Sequence, residues 1–474
     1  MAEDGAANGT TVPLLVAPTK PRRNMYAFAS ATLASMTTIL MGYNLALMSG
    51  AQLFIREDLG LSDTQIEVLA GSMNVYMLAS VLASGWATDK FGRRGTLVLA
   101  NAFLMAGALA MSLGNSYAAL MAARFVTSLG AGLALVVTSV YNAEISPAST
   151  RGLLLSLREI FINVGILLSY VSNYAFAGFP VRLGWRVMYA VGALPPVFLA
   201  AAALAMPESP RWLAMRGRHG DARAVLVRTS DTPAEADLRL EEIKQAAEAP
   251  HPGSTWKELL VQPPASVRRI LICVVGLQIF QQLAGIDSIL LYSPLVFRKA
   301  GMSSNRAVLG ATVAIGVVKT CSILVATFLS DRAGRRPLFL ASTAAVAAAL
   351  TCLALTLCVG GTSALSSAAS VAFVLAVVAA FSIGLGPLTT MYSVEILPLR
   401  LRAQGASLGG AVNRLTCGLV SMTFISLADA ITMPGCFFLY AGAAAAGCAF
   451  VYTQLPETRG RSLEDMNVLF ADRQ

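Results

Sequence analysis

The sequence predicts an all-α membrane protein with twelve transmembrane helices arranged as two six-helix bundles. Three observations carry this. Of 474 residues, 56% are apolar and only 13% charged, with a mean hydropathy of +0.65; a soluble surface needs roughly a quarter of its residues charged. Apolar stretches of about 20 residues, long enough to cross a ~30 Å hydrocarbon core as helices, can be placed in twelve windows. Two charged hexapeptides, Asp89-Lys-Phe-Gly-Arg-Arg94 and Asp331-Arg-Ala-Gly-Arg-Arg336, recur 242 residues apart (331 − 89), about half the chain. Each lies between two long apolar stretches, so the chain reads as two repeats of six spans.

A tail of Gly, Ala, Thr and Pro, residues 1–25, precedes the first span at 26–50. That span holds Thr37, Thr38, Tyr43 and Asn44, and is too long and too polar to be a cleaved secretory segment. Spans at 66–88, 96–114, 117–141, 153–177 and 187–206 complete a first bundle, 26–206. The second bundle, 269–454, takes spans at 270–297, 308–330, 337–359, 367–394, 404–428 and 433–454. Between them lies a polar linker, 207–268, which opens with Pro207-Glu-Ser-Pro-Arg-Trp212 and carries charges at helical spacing over 234–248. Residues 455–474 form a short final tail.

Charge sets the orientation. Lys20, Arg22 and Arg23 precede the first span, and Lys90, Arg93, Arg94, Arg151, Arg332, Arg335, Arg336, Arg400, Arg402, Arg459 and Arg461 all fall in alternate loops. The positive-inside rule therefore places both termini in the cytoplasm. The same bias accounts for the net charge of +9 without a nucleic-acid partner. The seven cysteines all lie in apolar spans of the second half, with no metal-ligand spacing, and read as small core residues. Both histidines, His219 and His251, lie in the linker, which excludes a histidine proton relay within the membrane. No nucleophile with a base, metal cluster or phosphate loop points to an enzyme, and no cofactor is expected.

The ordered set of motifs resembles the sugar-porter family of the major facilitator superfamily over nearly the whole chain. The set comprises both Asp-x-x-Gly-Arg-Arg loops, Pro207-Glu-Ser-Pro-Arg-Trp212, Gln281-Gln282 with Gly285, and Pro456-Glu-Thr-Arg-Gly-Arg461. Within that family, the segments 159–173 and Gly316-Val-Val-Lys-Thr320 are similar to plant polyol and monosaccharide transporters. The resemblance implies a monomeric carrier in the lipid bilayer of the plasma membrane, moving a polyol or monosaccharide by alternating access.

In each repeated loop the glycine permits a tight turn, and the arginines need carboxylate partners. Glu144, Glu208, Glu395 and Glu457, all near cytoplasmic span ends, are the expected partners of Arg93, Arg94, Arg335 and Arg336, with Asp89, Asp331, Arg151 and Arg402 in the same set of loops. The resemblance implies that these pairs latch the two bundles together while the site faces outward. Simple positive-inside anchoring would need the basic residues but not the ordered Asp, Gly and Glu.

Polar side chains inside apolar spans mark the substrate path, because a buried polar group without partners costs a few kcal/mol. In span seven Gln278, Gln281, Gly285, Ser288 and Tyr292 share one helical face, flanked by Gln282 and Asp287. Paired amides donate and accept, which matches a hydroxyl group. In span five Ser156, Glu159, Asn163 and Tyr170 share a face, with Glu159 where glucose carriers usually have glutamine. Lys319 in span eight needs a counter-ion, for which Asp287 is placed, and Asn413 matches a sugar-contacting amide of the family. Thr390 stands where the family usually has tryptophan, which removes a stacking surface for a pyranose ring and affects an acyclic polyol less.

Asn44 replaces the aspartate that proton-coupled sugar porters pair with the span-four arginine matching Arg124. An amide cannot exchange a proton near neutral pH, so this position implies facilitative uniport. The alternatives are proton symport, through Glu159 as a new partner of Arg124 or through Asp287, and a non-transporting sugar sensor. A channel would need a continuous polar ring, which the pattern lacks.

Overall fold

A computed structural model describes residues 24–147, 150–248, 263–359, 364–397 and 401–457. The first half holds α1 (Met25–Leu59), α2 (Asp63–Leu113), α3 (Tyr117–Ile145), α4 (Arg151–Phe176), α5 (Val181–Gly192) and α6 (Pro195–Ala205). Three short helices follow, α7 (Pro210–Met215), α8 (His219–Thr229) and α9 (Pro233–Glu248). The second half holds α10 (Ala265–Leu283), α11 (Ile286–Lys299), α12 (Asn305–Ala333), α13 (Arg335–Val359), α14 (Ala364–Ile383), α15 (Leu385–Ile396), α16 (Arg402–Ile431) and α17 (Met433–Gln454).

Among the described residues, eleven helical segments are long and apolar enough to cross a membrane. One of them, α2, has 51 residues, about 76 Å at 1.5 Å per residue, and so crosses twice. It folds back at Gly92, whose φ of 78° and ψ of 172° leave the helical region. Twelve crossings result, six in each bundle. Three of them are broken where the sequence forces it. Pro195 and Pro196 lack the N–H that would join α5 to α6; Gly285 takes φ 74° between α10 and α11; and Gly384 separates α14 from α15.

The bundles meet tightly on the side opposite the repeated loops. A Cβ on Gly71 of α2 would lie 2.9 Å from the Met422 backbone nitrogen of α16, and one on Gly316 of α12 would lie 3.0 Å from the Tyr170 ring of α4. Ser49 and Gln52 of α1 donate to the carbonyls of Leu290 and Leu291 on α11, at 3.0 and 2.8 Å, and the Tyr170 hydroxyl donates to Leu290 at 3.1 Å. Unwound backbone beside Gly285 is tolerated because it lies inside protein.

The linker helices pack around Leu213, Leu226 and Leu240. They dock on the first bundle: Asn24 caps α1 through the Tyr26 and Ala27 N–H groups and donates to the carbonyls of Arg228 and Ser230, both at 3.0 Å. At their surface the Arg223 guanidinium holds the Asp237 carboxyl below its ordinary range by a 2.8 Å hydrogen bond. The reading of all seven cysteines as core residues is corrected: Cys273, Cys417 and Cys436 are buried, but Cys321 and Cys358 are exposed.

Candidate functional site

The duplicated loops hold the same residue pairs. In the first, Arg93 Nε donates to Glu144 at 2.9 Å, while the N–H groups of Arg93 and Arg94 donate to Glu208 at 2.9 and 3.2 Å. In the second, Arg335 reaches Glu395 at 3.2 Å, and the N–H groups of Arg335 and Arg336 donate to Glu457 at 3.0 and 2.9 Å. The glycines match as well, Gly92 at φ 78° and Gly334 at φ 87°; an added Cβ on Gly92 would lie 2.4 Å from Glu208. Asp89 adds a 3.5 Å contact to Arg93.

In this arrangement, closed on the side away from the loops, each set of pairs closes within its own half. Arg93, Glu144 and Glu208 belong to the first half and its linker; Arg335, Glu395 and Glu457 all belong to the second. The reason is the topology: each loop turns back beside the end of a neighbouring helix of its own repeat, which offers the nearest carboxylate. The side chains of Arg151, Asp331 and Arg402 lie outside the described residues.

Near the middle of the second bundle four amides meet. Asn413 Nδ2 donates to Gln278 Oε1 at 2.8 Å and Gln281 Oε1 at 2.7 Å, and its Oδ1 accepts from Gln282 at 3.2 Å and Arg414 at 2.8 Å. Gln281 Nε2 donates to the Gly386 carbonyl at 2.9 Å, beside the break between α14 and α15. All four amide residues are buried. Gln282 Oε1 is left without a partner among the described residues, as is Asn163 Oδ1 across in α4. Chemically this is a switchable array, since each amide bond can be exchanged for one to a hydroxyl group. Thr390 is exposed.

Charged residues form a second group. Lys319 lies within electrostatic reach of Asp287, Glu159 and Cys417, but among the described residues it closes no ion pair with either carboxylate. Asp287 instead accepts from the Cys417 thiol at 2.8 Å. The expectation of Glu159 as the new partner of Arg124 is also corrected. Glu159 pairs with its neighbour Arg158, which in turn donates to Ser139 at 2.8 Å. Arg124 is fully buried and donates to the carbonyls of Asn44, at 3.1 Å, and Ala70, at 3.4 Å, with Nε unpaired among the described residues. The Asn44 side chain turns away to the Leu40 carbonyl at 2.9 Å.

Sequence reasoning missed Arg414, which extends from the amide cluster to Asn74 of the first bundle at 3.2 Å. A charge within an apolar span, one position after Asn413, was the signal available. It also missed Tyr141 and Tyr392, which donate to the carbonyls of Pro207 and Pro456 at 3.0 and 2.8 Å. The repeated spacing Tyr141-x-x-Glu144 and Tyr392-x-x-Glu395 marks them.

Comparison with known proteins places this geometry. The family described as sugar (and other) transporter matches residues 30–470. Polyol transporter 5 of Arabidopsis thaliana is 50% identical over 480 residues, covering 97% of this chain and 89% of that one. The glucose transporter GlcP of Staphylococcus epidermidis is 33% identical over 442 residues, covering 93% and 96%. Among solved structures, the inward-open conformation of the xylose transporter XylE from E. coli superposes with a TM-score of 0.79 at 24% identity, covering 94% of this chain and 100% of that one. At that identity the likeness speaks for the fold.

Proposed function

The chain belongs to the sugar (and other) transporter family, whose named relatives are carriers and not enzymes, and from that premise we propose that it moves a polyol or monosaccharide by facilitated, proton-independent alternating access. The names of its relatives support the substrate class, since one is a polyol transporter at 50% identity. The amides Gln281, Gln282 and Asn413, with Asn163 opposite, would bind the hydroxyl groups, and Gln282 Oε1 and Asn163 Oδ1 are acceptors ready for hydroxyl donors. Lys319, Asp287 and Glu159 would flank the path. Both termini lie in the cytoplasm, on the side of the repeated loops, and the membrane is the plasma membrane.

One observation carries the uniport reading: Arg124 is a buried cation bonded to backbone carbonyls and to no carboxylate among the described residues. Symport through a charge switch at this point needs a carboxylate that alternately holds Arg124 and a proton. Asn44 does not titrate, and Glu159 is engaged with Arg158. The test is uptake of labelled sorbitol, xylitol and glucose into proteoliposomes, with and without an inward proton gradient. Uptake should level off at equilibrium in both; accumulation that collapses with the gradient would overturn the proposal.

A further inference from the structure

Glu67 of α2 is the carboxylate that is buried outright among the described residues, 1% exposed, and nothing above uses it. Its side chain crosses from the first bundle to the second. It accepts from the Ile425 N–H at 2.6 Å, the Ser426 N–H at 3.2 Å and the Ser426 hydroxyl at 2.5 Å, all on α16. The Ser421 carbonyl and the Ile425 N–H are partners in a regular α-helix. Here the carbonyl also accepts from Tyr292, at 2.8 Å, while the N–H serves Glu67. One turn further along α2, Gly71 lets the two backbones come within contact of each other.

The other closing bonds on this side, from Ser49, Gln52 and Tyr170, are between neutral groups. Bonds to an ionised acceptor are about twice as strong as neutral ones. A protonated Glu67 would present a hydroxyl where N–H and O–H donors converge, losing both an acceptor position and the charge. A crevice of about 360 Å³, lined by Arg56, Asp63, Arg298, Lys299, Asp429 and Ile425, opens on this side and reaches the residue whose N–H the carboxylate holds. Other charged or titratable groups surround the latch. On α2 itself Asp63 is paired with Arg56 of α1 at 2.7 Å; Arg124 of α3 holds the Ala70 carbonyl; Tyr292 of α11 and Tyr440 of α17 are within electrostatic reach; Tyr189 of α5 lies near Arg124; and Asp429 follows Ser426 on α16. The described residues therefore bring no cation into hydrogen-bond contact with Glu67, and its charge is held by α16 donors.

We propose that Glu67 is the charge-operated gate of the outer side: ionised, it fastens α2 to α16; neutralised, it releases them and the carrier opens outward. The inference rests on the alternating-access reading above. Its proton enters and leaves by the same outer crevice, so acid shifts the conformational equilibrium without driving net accumulation. The test places fluorophores through unnatural amino acids at exposed Thr64 and Ser303, on opposite bundles at the outer end, and reads energy transfer in proteoliposomes. Lowering the outside from about pH 7.5 to about pH 3.5, below the ordinary range of an exposed glutamate, should raise the outward-open fraction about fivefold. Glu67→Gln should be open at both pH values, and Ser426→Ala, which removes one donor and keeps the fold, should shift the wild-type response partway. A wild-type distribution that ignores pH, or a Glu67→Gln protein that still responds as the wild type does, would overturn the gate. Proton-driven accumulation abolished by Glu67→Gln would also overturn it, making Glu67 a coupling group. If no test solute is transported but the distances respond as expected, the carrier reading fails and the gate stands.

Discussion

Asn413 is the residue through which the amide cluster holds together, because Gln278, Gln281, Gln282 and Arg414 all bond to it. Asn413→Ala removes one partner from each of three buried amides and from Arg414, at about 1–3 kcal/mol for each group left unsatisfied. Apparent affinity for the transported polyol should fall about 10- to 100-fold, read as KM in counterflow, with the folded yield preserved if the cluster serves substrate rather than packing. Position 44 gives a second residue-scale prediction. Arg124 already donates to the Asn44 carbonyl, so Asn44→Asp puts a titratable carboxylate on the very residue that this buried cation touches. Uptake by this variant should become pH-dependent; an unchanged pH profile would remove Asn44 as the deciding position. Residue types at these places were legible in the sequence, since amides and charges stand out within apolar spans. Their partners were not. Whether Glu159 would choose Arg124 or Arg158 depends on side-chain direction within α4, and Cys417 as the partner of Asp287 required knowing which faces of α11 and α16 meet.

Among the elements, the kinked α2 and the break between α10 and α11 show two uses of the same backbone freedom. At Gly285, φ of 74° is costly for other residues, and an added Cβ would lie 2.3 Å from the Tyr440 ring. Gly285→Ala should cost about 1–3 kcal/mol of stability, seen as a lowered Tm. At Gly92 the turn delivers Arg93, with 7% of its side chain exposed, to Glu144, with 9% exposed. Glu144→Gln leaves that guanidinium buried beside a neutral amide and should destabilise by about 3–5 kcal/mol, whereas Arg93→Met with Glu144→Leu should recover most of the loss. The equivalent change at Glu395, whose pair is 14% and 21% exposed, should cost less. Thermal unfolding in detergent compares the four variants. The repeat of these loops was readable from two hexapeptides 242 residues apart. That each closes within its own bundle was not, because a motif names a charge and the sign of its partner but not the helix end beside which the loop turns.

At the scale of the whole molecule, twelve crossings and two bundles follow from hydropathy and duplication, and the comparisons agree with them. What composition does not encode is the state. The described bonds between the bundles gather on the side away from the repeated loops and at the midplane, through Ser49, Gln52, Tyr170, Glu67 and Arg414. This state depends on close approach at particular small residues, and packed interfaces switch between discrete arrangements instead of deforming smoothly. Gly71 is such a point: its missing Cβ lets α2 rest against Met422, with 2.9 Å to the backbone nitrogen. Gly71→Leu fills that contact with a side chain that the α16 backbone cannot move away from while the outer side is closed. The outward-open arrangement relieves the clash, so the variant should still bind substrate from outside while uptake falls more than about tenfold. Gly85→Leu, on the same helix where an added Cβ meets nothing within 4 Å, should leave both unchanged. Binding by scintillation proximity and uptake in proteoliposomes separate the two activities. Equal loss of both in Gly71→Leu would mean a folding defect, and unchanged uptake would mean that α2 and α16 do not approach this closely during the transport cycle.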